Sequence, residues 1–244
     1  MRESRSVLEP RPCTIQMNVS RYAEGSCIIE TGHTKVFCTA SVEDEIPKWL
    51  KEKKQGWVTA EYSMLPRATH TRSKRDREKV SGRTQEIQRL IARALRAVVN
   101  LEVLGERQII VDCDVLQADG GTRTAAITGA CLAVGAALSK LIQQKKVPRS
   151  VFIDTVQAIS VGLKDGQVLV DLDYDEDSTC DVDMNFVRTG SGLFVEVQGT
   201  AERKPFSEED MKKMMDGAKH GLDRLKAKQL ELLKVLKVLG DGSE

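Results

Sequence analysis

The chain has 244 residues, room for one large domain or two small ones. Apolar residues make up 41% of it and aromatics only 4%, so any core must be built from Val, Leu, Ile and Ala. The formal net charge of +1 excludes a global bias toward nucleic acid or membrane, and electrostatic steering must come from local patches.

The N-terminal Met-Arg-Glu-Ser-Arg carries no apolar signal segment. Residues 26–30 and 34–42 are β-type runs joined by a hairpin-like turn, Thr31-Gly32-His33. Residues 48–55 are charged and read as a surface loop, and residues 56–62 read as a further strand. The chain changes character at residues 67–83. Arg67, Arg72, Lys74, Arg75, Arg77, Lys79 and Arg83 stand there against Asp76 and Glu78, a balance of seven minus two, or +5. Without apolar periodicity this is a strongly basic loop. A helix is predicted from Thr84, because Ile87, Leu90, Ile91, Ala94, Leu95 and Val98 recur at three- and four-residue spacing. Arg89, Arg93 and Arg96 fall on another of its faces.

Residues 108–116 look like a buried strand and residues 125–142 like an Ala-rich apolar helix. Between them, residues 119–124 read Asp-Gly-Gly-Thr-Arg-Thr. A two-glycine turn opening a helix exposes unpaired N–H groups at the positive end of the helix dipole. Gly120 and Gly121 let an anion approach the backbone, and Arg123 adds a planar cationic fork. No Gly-Lys-Ser/Thr follows, so this is not a Walker loop. Taken alone, the turn reads equally as a helix cap with a surface arginine.

The second half begins after Val147-Pro148-Arg149. Residues 151–161, 167–173, 181–189 and 193–197 are strand-like, the last two joined by Gly190-Ser191-Gly192. A terminal helix starts at Ser207, with Asp210 at capping-box spacing, and runs toward Gly240, with Gly217 and Gly221 as weak points. No run approaches membrane-spanning length by this reading. The six cysteines form no Cys-x-x-Cys pair and there are three histidines, which argues against zinc or iron–sulfur ligation and for a reducing cytoplasm. Cys38, Cys113 and Cys131 read as small core residues. The division expected is residues 1–147, with the basic loop and anion turn, and residues 148–244, with an acidic cluster and the last helix, in an α/β or α+β architecture.

That cluster is Asp171, Asp173, Asp175, Glu176, Asp177, Asp181 and Asp183, seven acids in thirteen residues. Crowded carboxylates call for protonation, solvent or a cation. The EF-hand pattern fails, because Glu176 stands in the place of its glycine and Val182 in that of its bidentate Glu. The two readings are a magnesium or manganese site and a solvated acidic loop. Asp177 and Asp183 can share an ion only if the chain turns at residues 178–180. An oxyanion cradle, a basic loop and a carboxylate cluster together suit phosphoryl or nucleotidyl transfer on nucleic acid. A cradle for a second, separate anion points to phosphate rather than water as the nucleophile.

The chain resembles the bacterial RNase PH family over nearly its whole length. The matching strings are Ala-Glu-Gly-Ser at 23–26, Thr-Lys-Val at 34–36, Gln-Gly-Trp-Val-Thr-Ala-Glu-Tyr at 55–62 and Met-Leu-Pro-Arg-Ala-Thr-His-Thr-Arg at 64–72. Ser-Gly-Arg-Thr-Gln-Glu-Ile-Gln-Arg-Leu at 81–90, Asp-Cys-Asp-Val-Leu-Gln-Ala-Asp-Gly-Gly-Thr-Arg-Thr at 112–124, and 176–178, 183–185 and 196–202 complete the set. The resemblance implies a phosphate-dependent 3′–5′ exoribonuclease that trims tRNA and other RNA 3′ ends, releases nucleoside diphosphates, runs in reverse and has a role in rRNA processing. It implies phosphate binding by Arg83, Gly121, Thr122 and Arg123, a divalent ion (Mg2+, with Mn2+ the alternative) on Asp177 and Asp183, and RNA guidance by Arg67, Arg72, Arg75 and Arg77. It further implies a mixed-sheet fold related to a ribosomal-protein domain with a left-handed β-α-β crossover, a hexamer built as three dimers, and a cytoplasmic protein without membrane contact. Arg203 departs from the glycine common in relatives. The rivals are a non-catalytic RNA-binding ring subunit of an exosome-like assembly and a hydrolytic metal nuclease.

Overall fold

A computed structural model describes residues 2, 5–75 and 80–239. Two sheets divide the described chain. The first holds β1 (Cys13–Met17), β2 (Gly25–Thr31), β3 (Thr34–Glu43), β4 (Trp57–Met64) and β5 (Gln108–Gln117) in the order β1-β2-β3-β5-β4. All its neighbours are antiparallel except β4 and β5. That parallel pair is joined by α1 (Gly82–Arg96) and the short α2 (Leu101–Leu104). The second sheet is antiparallel throughout: β6 (Val156–Lys164), β7 (Gln167–Val170), β8 (Val182–Thr189) and β9 (Phe194–Ala201), ordered β7-β6-β8-β9.

Between the sheets runs α3 (Thr122–Gln143). It packs on β2 and β3 on one side and on β6 on the other. The expectation that no run reaches membrane-spanning length fails here: α3 has 22 residues with a mean hydropathy of 1.8. Its surroundings explain the composition, since 89% of the apolar window is buried among the sheets and neighbouring helices. A helix apolar on every side has to be enclosed. Cys27, Cys38, Cys113 and Cys131 lie in this core, and all six cysteines are buried and free.

Several local expectations are corrected. Residues 48–53 form a 3₁₀ turn around the buried Leu50 rather than a plain loop. The first helix begins at Gly82, because the Ser81 side chain accepts from the Thr84 amide (3.1 Å) and caps it there. Strand β6 starts at Val156, five residues later than the apolar run, whose first residues make a 3₁₀ turn and an isolated bridge from Phe152 to Val99. Within α5 (Glu208–Leu236), Gly217 and Gly221 are close contacts rather than weak points. A Cβ on Gly221 would lie 2.2 Å from Ile159 Cδ1. Ser207 and Asp210 do form the capping box. Residues 240–244 lie outside the described residues.

Candidate active site

The turn between β5 and α3 places two glycines in the left-handed region, Gly120 at φ +70° and Gly121 at φ +61°. Its carbonyls are spoken for. Thr34 Oγ1 donates to Gly120 O (2.6 Å) and accepts from the Asp119 amide (2.9 Å), while the Arg11 guanidinium donates to Asp119 O. Arg11 is fixed in turn by the buried Asp171 carboxylate, at 2.7 and 3.0 Å. The first amides of α3 have no acceptor inside the helix, so the turn presents donors toward the space in front of it. A Cβ on Gly120 would fall 2.4 Å from Leu172 O. The second half of the chain therefore closes directly on this turn.

That contact delivers the carboxylates. Residues 174–179 form α4 (Tyr174–Thr179), closed by a capping box between Asp173 and Glu176. The chain turns at Cys180 and enters β8, which brings Asp177 and Asp183 into one cleft with Arg83, Gly121, Thr122 and Arg123. The cleft has a volume of about 1280 Å³ and takes its lining from both halves of the molecule. Asp183 Oδ1 is buried without a hydrogen-bond partner. Burial, and next the Asp177 charge, push the Asp183 carboxyl up to about 6, against the pull of Arg123 and Arg83. Burial likewise raises Asp177, and the same two arginines oppose it. Glu202 adds a third negative charge to both.

The rest of the acidic cluster does other work. Asp171 pairs with Arg11, Asp173 caps α4, and Glu176 pairs with Arg2 and Arg5. Asp181 faces Lys204 at 3.4 Å, and Asp175 is exposed. Asp171 thus belongs to the support of the turn, not to a solvated acidic loop. Among the described residues no three His, Cys, Asp or Glu side chains converge into a self-sufficient metal cage. Two hard oxygen donors, one with an orphaned buried atom, suit an ion that keeps water and substrate oxygens in its shell, as Mg2+ does.

Of the expected RNA-guiding residues, Arg75 lines the cleft beside Lys74. Arg67 and Arg72 are exposed on the same loop but off its described lining, and Arg77 lies outside the described residues, as do Asp76, Glu78 and Lys79. Arg89 is exposed. The structure adds residues that sequence reasoning missed. Gln198 Oε1 accepts from Arg123 Nη1 (3.0 Å) while its Nε2 donates to Glu86 Oε1 (2.9 Å). Tyr62 donates to Thr122 Oγ1 (2.8 Å) from the strand beneath. Strand alternation places Gln198, Thr200 and Glu202 on one face, a signal present in the sequence.

Family models for the 3′ exoribonuclease family match residues 9–138 as its domain 1 and residues 154–221 as its domain 2. Ribonuclease PH of Bdellovibrio bacteriovorus is 54% identical over 231 residues, spanning 94% of this chain and 95% of that protein. Rice (Oryza sativa) Rrp46 superimposes with a TM-score of 0.76 at 18% identity, over 94% of this chain and 98% of that one. A subunit of the Archaeoglobus fulgidus exosome with RNA bound to the active site superimposes with a TM-score of 0.75 at 20% identity, over 92% of this chain and 90% of that one. At such identities these two carry the fold, and the bacterial relative and the matched models carry more. The chain belongs to the 3′ exoribonuclease family.

Proposed function

We propose that the cleft runs phosphorolysis at RNA 3′ ends, tRNA among them, with the residues above in specific roles. The chain is a phosphorolytic 3′–5′ exoribonuclease. Inorganic phosphate is held by Arg83, Arg123 and the Gly121 and Thr122 amides. One of its oxygens attacks the 3′-terminal phosphodiester in line. A new P–O bond forms, the bond to the preceding 3′-oxygen breaks, and that oxygen takes a proton from phosphate or solvent. The products are a nucleoside diphosphate and an RNA shorter by one. A phosphoanhydride replaces a phosphodiester, so the reaction runs in both directions. Catalysis is mostly positioning and electrostatics, because phosphate is already a competent nucleophile. A divalent cation on Asp177 and Asp183, Mg2+ or Mn2+, would offset charge on the reacting phosphate.

One observation carries this reading: the two arginines and the helix N-terminus share a cleft with Asp177 and Asp183, and Asp183 Oδ1 is buried there without a hydrogen-bond partner. Arg75 and Lys74 at the same cleft support guidance of the RNA backbone. A non-catalytic ring subunit would have no use for this set, and the set is complete here. The free, buried cysteines fit a cytoplasmic protein. By resemblance the working form is a homohexamer of three dimers, tested by mass in solution, with a role in rRNA as well as tRNA processing. Product analysis tests the chemistry. Nucleoside diphosphates formed only with added phosphate are expected. Monophosphates formed in water would mean hydrolysis, and no products at all a scaffold.

A further inference from the structure

The cleft has an aromatic corner that neither phosphate nor metal binding uses. Tyr174, the first residue of α4, is 54% exposed. His70, on the basic loop, meets it edge-on, with ring centroids 6.4 Å apart at an interplanar angle of 61°. Both rings line the cleft, and Lys74 and Arg75 lie on the same loop as His70. An edge-to-face pair uses at most one face of one ring, so this corner keeps aromatic surface open to the cleft. The placement of Tyr174 is not loose. Its amide donates to Asp119 Oδ1 (3.3 Å), the residue that opens the glycine turn. Asp177 follows three residues later on the same face of α4, about 4.5 Å further along the helix axis. The ring is therefore in fixed register with both the anion turn and the carboxylates.

We propose that Tyr174, backed by His70, is a stacking subsite for a nucleobase next to the scissile phosphodiester. The proposal rests on the phosphorolytic reading above. An enzyme that removes nucleotides one at a time must pass every base through the same place. Hydrogen-bond readout of base edges would reject some of them, whereas every base has a π-face. A basic groove with an aromatic platform is the general solution for single strands, because stacking on a ring tolerates any base.

The test compares the wild type with Tyr174→Ala and Tyr174→Phe on oligoadenylate and oligouridylate of equal length. Binding is read by fluorescence anisotropy without phosphate, and KM for RNA and for phosphate separately by turnover. Tyr174→Ala is expected to weaken both oligonucleotides about tenfold and leave the phosphate KM alone, and Tyr174→Phe to restore wild-type binding. An exposed ring predicts an unchanged melting temperature. Unchanged RNA affinity in Tyr174→Ala would overturn the proposal. So would a failure of phenylalanine to rescue, which would identify the hydroxyl rather than the ring as the contact. If wild-type turnover proved independent of phosphate, the phosphorolytic reading would fall, and the anisotropy arms would still decide the stacking.

Discussion

In the proposed reaction, Gln198 and an incoming phosphate claim the same Arg123 guanidinium. Gln198 holds it through a neutral amide oxygen, and the same amide keeps the Glu86 carboxylate occupied; Arg123 and Glu86 are 4.0 Å apart. A neutral holder aims the cation without discharging it. Gln198→Glu would put a carboxylate of equal size against Arg123, and the expected result is a rise of about tenfold in the phosphate KM, equivalent to about 1.4 kcal/mol, with the RNA KM little changed. Steady-state kinetics with each substrate varied in turn check this, and an unchanged phosphate KM would remove Gln198 from the site. Arg123→Ala should lose about 10²–10³-fold of phosphate-dependent turnover, the usual cost of one donor to developing charge, with the unfolding midpoint near wild type. Full turnover at low phosphate would refute its assignment. At this scale the sequence was informative where chemistry is written into one string: Arg123 after two glycines, Asp177 and Asp183 at a spacing that needs a turn. Alternation along β9 gave the face of Gln198 but not its partners, and Glu86 and Tyr174 were not legible, because their meaning arises only when distant segments line one cleft.

Helix α4 shows what element-level reading loses. Asp173 and Glu176 have capping-box spacing, yet seven crowded acids made the segment look like a loop. The cations that compensate them come from far away in the chain: Arg2 and Arg5 on Glu176, Arg11 on Asp171. Strand β1 alternates apolar Cys13, Ile15 and Met17 with polar Thr14 and Gln16, yet its five residues are too short a run to stand out. The Arg11–Asp171 pair is buried on both sides and braces the glycine turn through Asp119 O. Removing one member of such a pair costs about 3–5 kcal/mol because the other charge is left buried and alone. Asp171 would keep Arg5 Nη1 at 3.9 Å and the backbone N–H of residue 11 at 2.7 Å, so Arg11→Met should lower stability by less than that in urea unfolding and raise the phosphate KM by loosening the turn. Adding Asp171→Asn, which keeps a residue tolerant of the observed φ of +59°, should return much of the stability. A double variant no more stable than the single would show that the cost lies in lost packing and not in the stranded carboxylate.

The whole molecule is organised around α3, and its burial was legible in composition while its surroundings were not. A helix apolar on every face fits an enclosed core or a bilayer, and only the placement of β2, β3 and β6 around it decides. The order β1-β2-β3-β5-β4 was equally hidden, because the β3–β5 pairing joins segments far apart in sequence through complementary edges rather than through any local signal. Enclosure by two halves also explains the charge state of the site: Asp183 is desolvated because the sheets, helix and cleft walls close around it. Its folded carboxyl titrates at about 6, above the ordinary value of 3.8. The folded chain then keeps a proton that the unfolded chain has released, so this group makes stability fall as pH rises from about 4 to about 6. A carboxyl raised that far forfeits about 3 kcal/mol of stability above that window. Carboxylates with depressed values, Glu176 among them, slope the other way, so the contribution of Asp183 has to be isolated by difference. Asp183→Asn should be more stable than wild type at pH 7.5 and equal to it near pH 4, while losing activity. Saturating Mg2+ should raise the wild-type melting temperature at pH 7.5, do so much less at pH 5, and leave the Asn variant unmoved. Melting curves of both proteins across that range, with and without the ion, make the comparison. An equal Mg2+ response at both pH values, or a full response in the variant, would place the cation elsewhere than on Asp183.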